Sequence, residues 1–112
     1  MNIVREQLSP DTVLLHLDGQ LDAKTGSGVR APLQEFFQDE PVKIIVNLEK
    51  VSFIDSAGLA SLVSGLRVAR EKSSRVVLSA PQPQAQTVFR LTMLDRVFSI
   101  FRSVQDAQQS LG

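Results

Sequence analysis

The chain has 112 residues, 43% of them hydrophobic, and its 12 lysines and arginines equal its 12 aspartates and glutamates. That is enough chain for one domain that buries roughly two-thirds of the surface its unfolded form exposes, and the zero net charge argues against a nucleic-acid partner. Cysteine is absent, which excludes disulfides, thiolate metal ligands and a cysteine nucleophile. The opening Met1-Asn2-Ile3-Val4-Arg5-Glu6 lacks the regions of a signal peptide, and no run approaches the ~20 apolar residues of a membrane span, so a cytoplasmic protein without a membrane role is expected.

Asn2 to Leu8 and Thr12 to Leu17 flank the turn formers Ser9-Pro10-Asp11 and predict an antiparallel hairpin, punctuated after its second strand by Asp18-Gly19. From Thr25 the pattern becomes helical: Val29, Leu33, Phe36 and Phe37 form one apolar stripe, with Pro32 an awkward member. Val42 to Leu48 is a β-branched run suited to a central buried strand. After the Glu49-Lys50 interruption, Val51-Ser52-Phe53-Ile54 is expected to be a loop anchored on the core by Phe53 and Ile54.

Leu59, Leu62, Val63, Leu66 and Ala69 define an amphipathic helix that begins around Ser56 or Ala57, with Ser61, Ser64, Arg67 and Arg70 on its polar face. The cluster Arg67, Arg70, Lys72 and Arg75 is read as cations complementing a helix C-terminus rather than as a phosphate-binding patch. Arg75 to Ser79 is the next strand, Pro81 and Pro83 lead into a helix running to about Met93 or Leu94, and Val97 to Phe101 is a last short strand. Ser103 then caps a terminal helix carrying Val104, Ala107 and Leu111.

The predicted order is ββαβαβαβα. Strands joined by helical crossovers imply an α/β domain with a mixed, mostly parallel sheet, an N-terminal hairpin and about four helices. In such sheets functional groups gather beyond the carboxyl ends of the strands. The segments after Leu17, Leu48 and Ser79 should therefore share one end, bringing Asp22 towards Asp55-Ser56.

Ser56 stands at a predicted helix start between a carboxylate and a small residue. The plain reading is an N-cap, whose oxygen accepts a hydrogen bond from an early backbone N–H; the functional one is a phosphorylation site. Asp22 reads equally as a cap of the first helix, Asp55 as an acceptor for loop donors, and Gly58 as relief of crowding at the helix start. An esterase-type elbow would need Gly-x-Ser-x-Gly, but position 54 is isoleucine and the single histidine, His16, lies in a strand. A phosphoaspartate receiver would need an acidic pair after the first strand and a late lysine, and Gly26-Ser27-Gly28 does not continue into a Walker loop. No enzyme, cofactor or metal is expected.

Gly19-Gln20-Leu21-Asp22, Ile44 to Leu48 and above all Val51-Ser52-Phe53-Ile54-Asp55-Ser56-Ala57-Gly58-Leu59 resemble the anti-sigma-factor antagonists of the STAS-domain family. The resemblance implies one STAS domain over residues 1–112 of a bacterial protein. It further implies phosphorylation of Ser56 by an anti-sigma factor that is a serine kinase of GHKL type, and resetting by a phosphoserine phosphatase. The unphosphorylated form would sequester the kinase and free the sigma factor. Asp22, Thr25, Asp55, Ser56, Ala57, Gly58 and Leu59 are the partner-binding positions so implied, with any homodimer weak. The alternative is a STAS scaffold in another signalling assembly. Three positions depart from the family pattern: Asn47 stands where aspartate is common, Ala57 replaces a second serine of some members, and Leu91-Thr92-Met93-Leu94 lacks a frequent glycine.

Overall fold

The computed structural model describes residues 1–26, 28 and 42–112. Its described elements are β1 (Asn2–Ser9), β2 (Thr12–Leu21), β3 (Lys43–Ile54), α1 (Ser56–Glu71), β4 (Arg75–Ser79), α2 (Pro83–Leu91), a 3-10 turn (Leu94–Arg96), β5 (Ile100–Phe101) and α3 (Val104–Leu111). The five strands lie in the order β1-β2-β3-β4-β5. β1 pairs antiparallel to β2, and every later pairing is parallel. The mixed sheet and the hairpin are as expected; the helix expected from Thr25 to Phe37 lies almost wholly outside the described residues.

Period-two alternation divides the strand side chains between two faces. Val13, Leu15 and Leu17 of β2, Ile44, Val46 and Leu48 of β3, and Val76 and Leu78 of β4 meet Leu59, Leu62 and Leu66 of α1 and Ala85 and Phe89 of α2 in the main core. Phe89 is fully buried there and meets Phe98 edge-on, with ring centroids 6.1 Å apart. The opposite face gives Leu14, Ile45 and Val77 to a smaller cluster with Ala107 and Leu111 of α3.

Two expectations fail in an instructive way. Asp18-Gly19 does not end β2, and Val51 to Ile54 is not a loop: both strands continue, paired, as far as Leu21 and Ile54. The register shifts twice, between His16 and Asp18 and again between Gly19 and Gln20, because β3 takes an extra residue at each place. Each extra residue resets the alternation, so Leu48, Val51 and Ile54 recur every third position yet all face the main core. The Glu49-Lys50 interruption is therefore a bulge within a strand. Gly19, at φ 130°, supplies a conformation that side-chain-bearing residues rarely adopt.

The last strand is shorter than expected, since Val97 to Ser99 stay outside it. Met93 has φ 60°, so the left-handed residue after α2 is a methionine where a glycine is usual.

Candidate functional site

The β2 and β3 extensions carry the chain ends at Leu21 and Ile54 well past β4, which stops level with Asn47. The strand ends are thus staggered rather than level. What they bring together is nonetheless the expected pair of segments: the Asp55 N–H donates to the Leu21 carbonyl at 3.2 Å, one residue before Asp22.

Each segment is locked locally. Asp55 is the N-cap of α1, with φ −104° and ψ −177°, and its carboxylate accepts from the Gly58 N–H at 2.9 Å. This corrects the sequence reading, in which Ser56 was the cap. With Asp55 in that role, Ser56 becomes the first helical residue, exposed, its hydroxyl holding no hydrogen bond among the described residues. Across from it, Asp22 and Thr25 form a reciprocal turn: the Asp22 carboxylate accepts from the Lys24 and Thr25 N–H groups at 2.9 and 3.2 Å, and the Thr25 hydroxyl accepts from the Asp22 N–H at 2.9 Å. The same hydroxyl donates to the Gln20 carbonyl at 2.8 Å. These bonds follow the logic of a capping box.

Two glycines let the segments approach. A Cβ on Gly58 would overlap the Leu21 carbonyl, so the first turn of α1 lies directly against the end of β2. A Cβ on Gly26 would overlap the Ser61 hydroxyl. Ser61 is accordingly 3% exposed and donates to the Ala57 carbonyl, which removes it from the polar face assigned to it by periodicity.

The expected partner-binding positions therefore divide by exposure. Asp22, Thr25, Asp55 and Ala57 are half-buried and Ser56 is exposed, whereas Gly58 is buried and Leu59 is 7% exposed within the main core. Leu59, expected at the partner surface, serves the core, because the helix turns its side chain back onto the sheet.

Sequence reasoning missed Gln84. Its side-chain amide donates to the Ile54 carbonyl and accepts from the Ile54 N–H, both at 2.9 Å. Beyond the end of β4, one side chain thus does for Ile54 what a neighbouring strand would do. Gln82 adds a bond to the Glu49 carbonyl at 2.8 Å. The signal was faint: two glutamines around a helix-starting proline.

Farther along the sheet, Asn47 donates to His16 Nδ1 at 3.2 Å and accepts from the Glu49 N–H at 3.1 Å. The second bond fixes the amide orientation, so His16 Nδ1 is an acceptor and its Nε2–H donates to Glu6 at 3.2 Å. A neutral amide suits this position, which is 7% exposed; a carboxylate there would face a heavier desolvation penalty and could not donate to the ring. Among the described residues no group of His, Cys, Asp or Glu is placed to hold a metal, and no helix is long and apolar enough to cross a membrane.

Comparison with known proteins covers nearly the whole chain. The chain is 32% identical over 95 residues to an anti-sigma F factor antagonist of Lysinibacillus sphaericus, covering 84% of this chain and 81% of that one. It is 28% identical over 102 residues to an anti-sigma-B factor antagonist of Listeria monocytogenes, covering 89% and 90%. Among solved structures, the anti-sigma factor antagonist SpoIIAA in its unphosphorylated form superposes with a TM-score of 0.84 at 25% identity, over 98% of this chain and 96% of that one. The phosphorylated form of Bacillus SpoIIAA gives 0.78 at 25% identity, over 99% and 100%. The STAS domain family matches residues 4–107, nearly the whole span from β1 to α3. With its hairpin, its parallel crossovers and its Asp-Ser-Ala-Gly-Leu helix start, this chain belongs to the STAS domain family.

Proposed function

We propose that this protein is an anti-sigma-factor antagonist, a binding module rather than an enzyme. In this reading it sequesters an anti-sigma factor that is also a GHKL-type serine kinase, in the bacterial cytoplasm, while Ser56 is unphosphorylated. The observation that carries the reading is the exposed hydroxyl of Ser56 at the first position of α1, freed from capping by Asp55. The names of the relatives support the partner class, and the pairing of SpoIIAA structures supports a fold that tolerates phosphorylation.

Phosphoryl transfer would form a bond from Ser56 Oγ to the γ-phosphorus of the nucleotide and release the diphosphate, with the hydroxyl proton passing to a base on the kinase. The product suits its own chain: the Ser56 and Ala57 N–H groups have no intrahelical acceptor, and the positive end of the helix favours an anion. The fold therefore persists. What changes is the outer surface, which gains a charge of about −1.5 to −2 beside Asp55 and Asp22. A partner surface that accepts a neutral serine among acids would now bury an uncompensated dianion. A loss of about 3 kcal/mol would weaken binding by roughly 100-fold, and a phosphoserine phosphatase would restore it.

In this reading Asp22, Thr25, Asp55, Ser56 and Ala57 meet the partner, while Gly58 and Leu59 hold those residues in place from beneath. The test is titration of a cognate anti-sigma kinase with wild-type protein, Ser56→Ala and Ser56→Asp, with mass spectrometry after incubation with kinase and ATP. Ser56→Ala should bind and stay unmodified, and Ser56→Asp should bind at least 10-fold more weakly. Equal affinity for the two variants, or phosphate on another residue, would sink the proposal.

A further inference from the structure

A cleft of about 540 Å³, whose lining does not include Ser56, lies where α2, the 3-10 turn and the carboxyl ends of β4 and β5 meet. Its size is that of a small-molecule site, and it lies where open α/β sheets commonly hold ligands. Ile100, half-buried on the α1 and α2 side of the sheet, gives it an apolar side chain, and the exposed Arg90, Arg102 and Asp95 supply its charges. Neither guanidinium and not the Asp95 carboxylate has an ion pair or hydrogen bond among the described residues. Two arginines and one aspartate thus line one cleft without pairing to one another.

The walls are built rather than loose. Gln86 donates to the Pro81 carbonyl at 2.9 Å, holding the β4–α2 connection against α2. Ala80 has φ 53°, a left-handed conformation that a residue with a Cβ avoids, and its N–H donates to the Phe101 carbonyl at 2.9 Å. Strained backbone of this kind persists where the surroundings enforce it and concentrates at functional sites.

We infer that this cleft binds a small organic phosphate monoester, gripped by the Arg90 and Arg102 guanidinium groups with its apolar body on Ile100. The planar guanidinium fork matches phosphate oxygens two at a time, and two arginines against one aspartate leave the cleft net positive towards an anion. Asp95 sets the size of the charge: it would repel the additional phosphates of a polyphosphate. The site goes beyond phosphorylation of Ser56 and involves none of the residues of that surface.

Phenyl phosphate serves as the probe, with inorganic phosphate and phenol as controls, titrated into ¹⁵N-labelled full-length protein followed by NMR. Saturating shifts should centre on the amides of Ala80, Arg90 and Arg102, with phenyl phosphate binding at least 10-fold more tightly than either control. The R90Q/R102Q double variant, changed only at exposed side chains, should bind at least 10-fold more weakly while unfolding at the same temperature. Non-saturating shifts, shifts centred on Arg67, Arg70 or Arg96, or unchanged affinity in the double variant would overturn the site.

Discussion

On one face of the sheet, side chains from β2, β3 and β4 interlock with α1 and α2 around Phe89, and several of them are fully buried. On the other, α3 covers Leu14, Ile45 and Val77 with little more than Ala107, Leu111 and the edges of Leu8, Phe101 and Val104. The thin face gives way to the polar His16, Asn47 and Ser79, aligned across the strands between Val4 and Phe101. Ser56 stands on the helix that closes the thick face. The difference teaches where rigidity is invested: the helix that carries the exposed Ser56 rests on the deeper core, and polar character is tolerated where little packing depends on it.

The comparison is broken most severely at Gly58. Gly58→Ala drives a Cβ into the backbone of Leu21, which cannot rotate away, and should destabilise by about 5 kcal/mol, at the upper end for a single substitution. Urea denaturation checks it, and a loss below 1 kcal/mol would mean that α1 can slide off the end of β2. The same substitution on each face sharpens the contrast. Leu62→Ala should cost about 3.5 kcal/mol and Leu111→Ala about 2 kcal/mol, since the second site lies at a helix end and can relax. Equal losses would show that the faces are equally packed.

Gln84→Ala leaves both the N–H and the C=O of Ile54 without their partner and should cost about 2 kcal/mol. Hydrogen exchange at Ile54 and Asp55 should accelerate more than at Val77; uniform acceleration would show that Gln84 does not act locally. Ser79→Ala runs the other way. Its hydroxyl is fully buried with no partner among the described residues, so its removal should stabilise by about 1 kcal/mol in thermal unfolding.

The smallest effect is at the hairpin. Hydrogen bonds from Ser9 and Thr12, with help from Lys43, hold the Asp11 carboxyl below its ordinary range. A depressed folded-state value contributes stability that is fully present above the ordinary value and is lost as pH falls through the folded one. Asp11→Asn should therefore lower stability slightly at neutral pH, leave it nearly unchanged in acid, and so remove a small part of the acid sensitivity. An unaltered acid-unfolding midpoint would count against that contribution.

Much of this architecture could be read from local pattern. The α1 stripe from Leu59 to Ala69, the Arg75 to Ser79 strand, the Ser103 cap and the proline entry to α2 each use a rule that operates within a few residues. The failures all required a second segment. Leu48, Val51 and Ile54 look like a broken strand until β2 lies beside them and the extra residues become bulges. Ser61 looks exposed until Gly26 lies against it.

At the candidate site, the sequence by itself determined that Ser56 opens a helix, that an acid precedes it, and that Asp22 belongs at the same end. These follow from spacing and crossover chirality. Tertiary structure decided that Asp55 takes the capping bond and leaves the hydroxyl free, that Gln84 stands in for a missing strand, and that two arginines from separate elements line one cleft. The physical reason is the range of the interactions. Periodicity and capping are set by neighbours along the chain, whereas the choice between two adjacent caps, the pairing of an exposed backbone edge and the convergence of charges depend on how closely separate elements can approach.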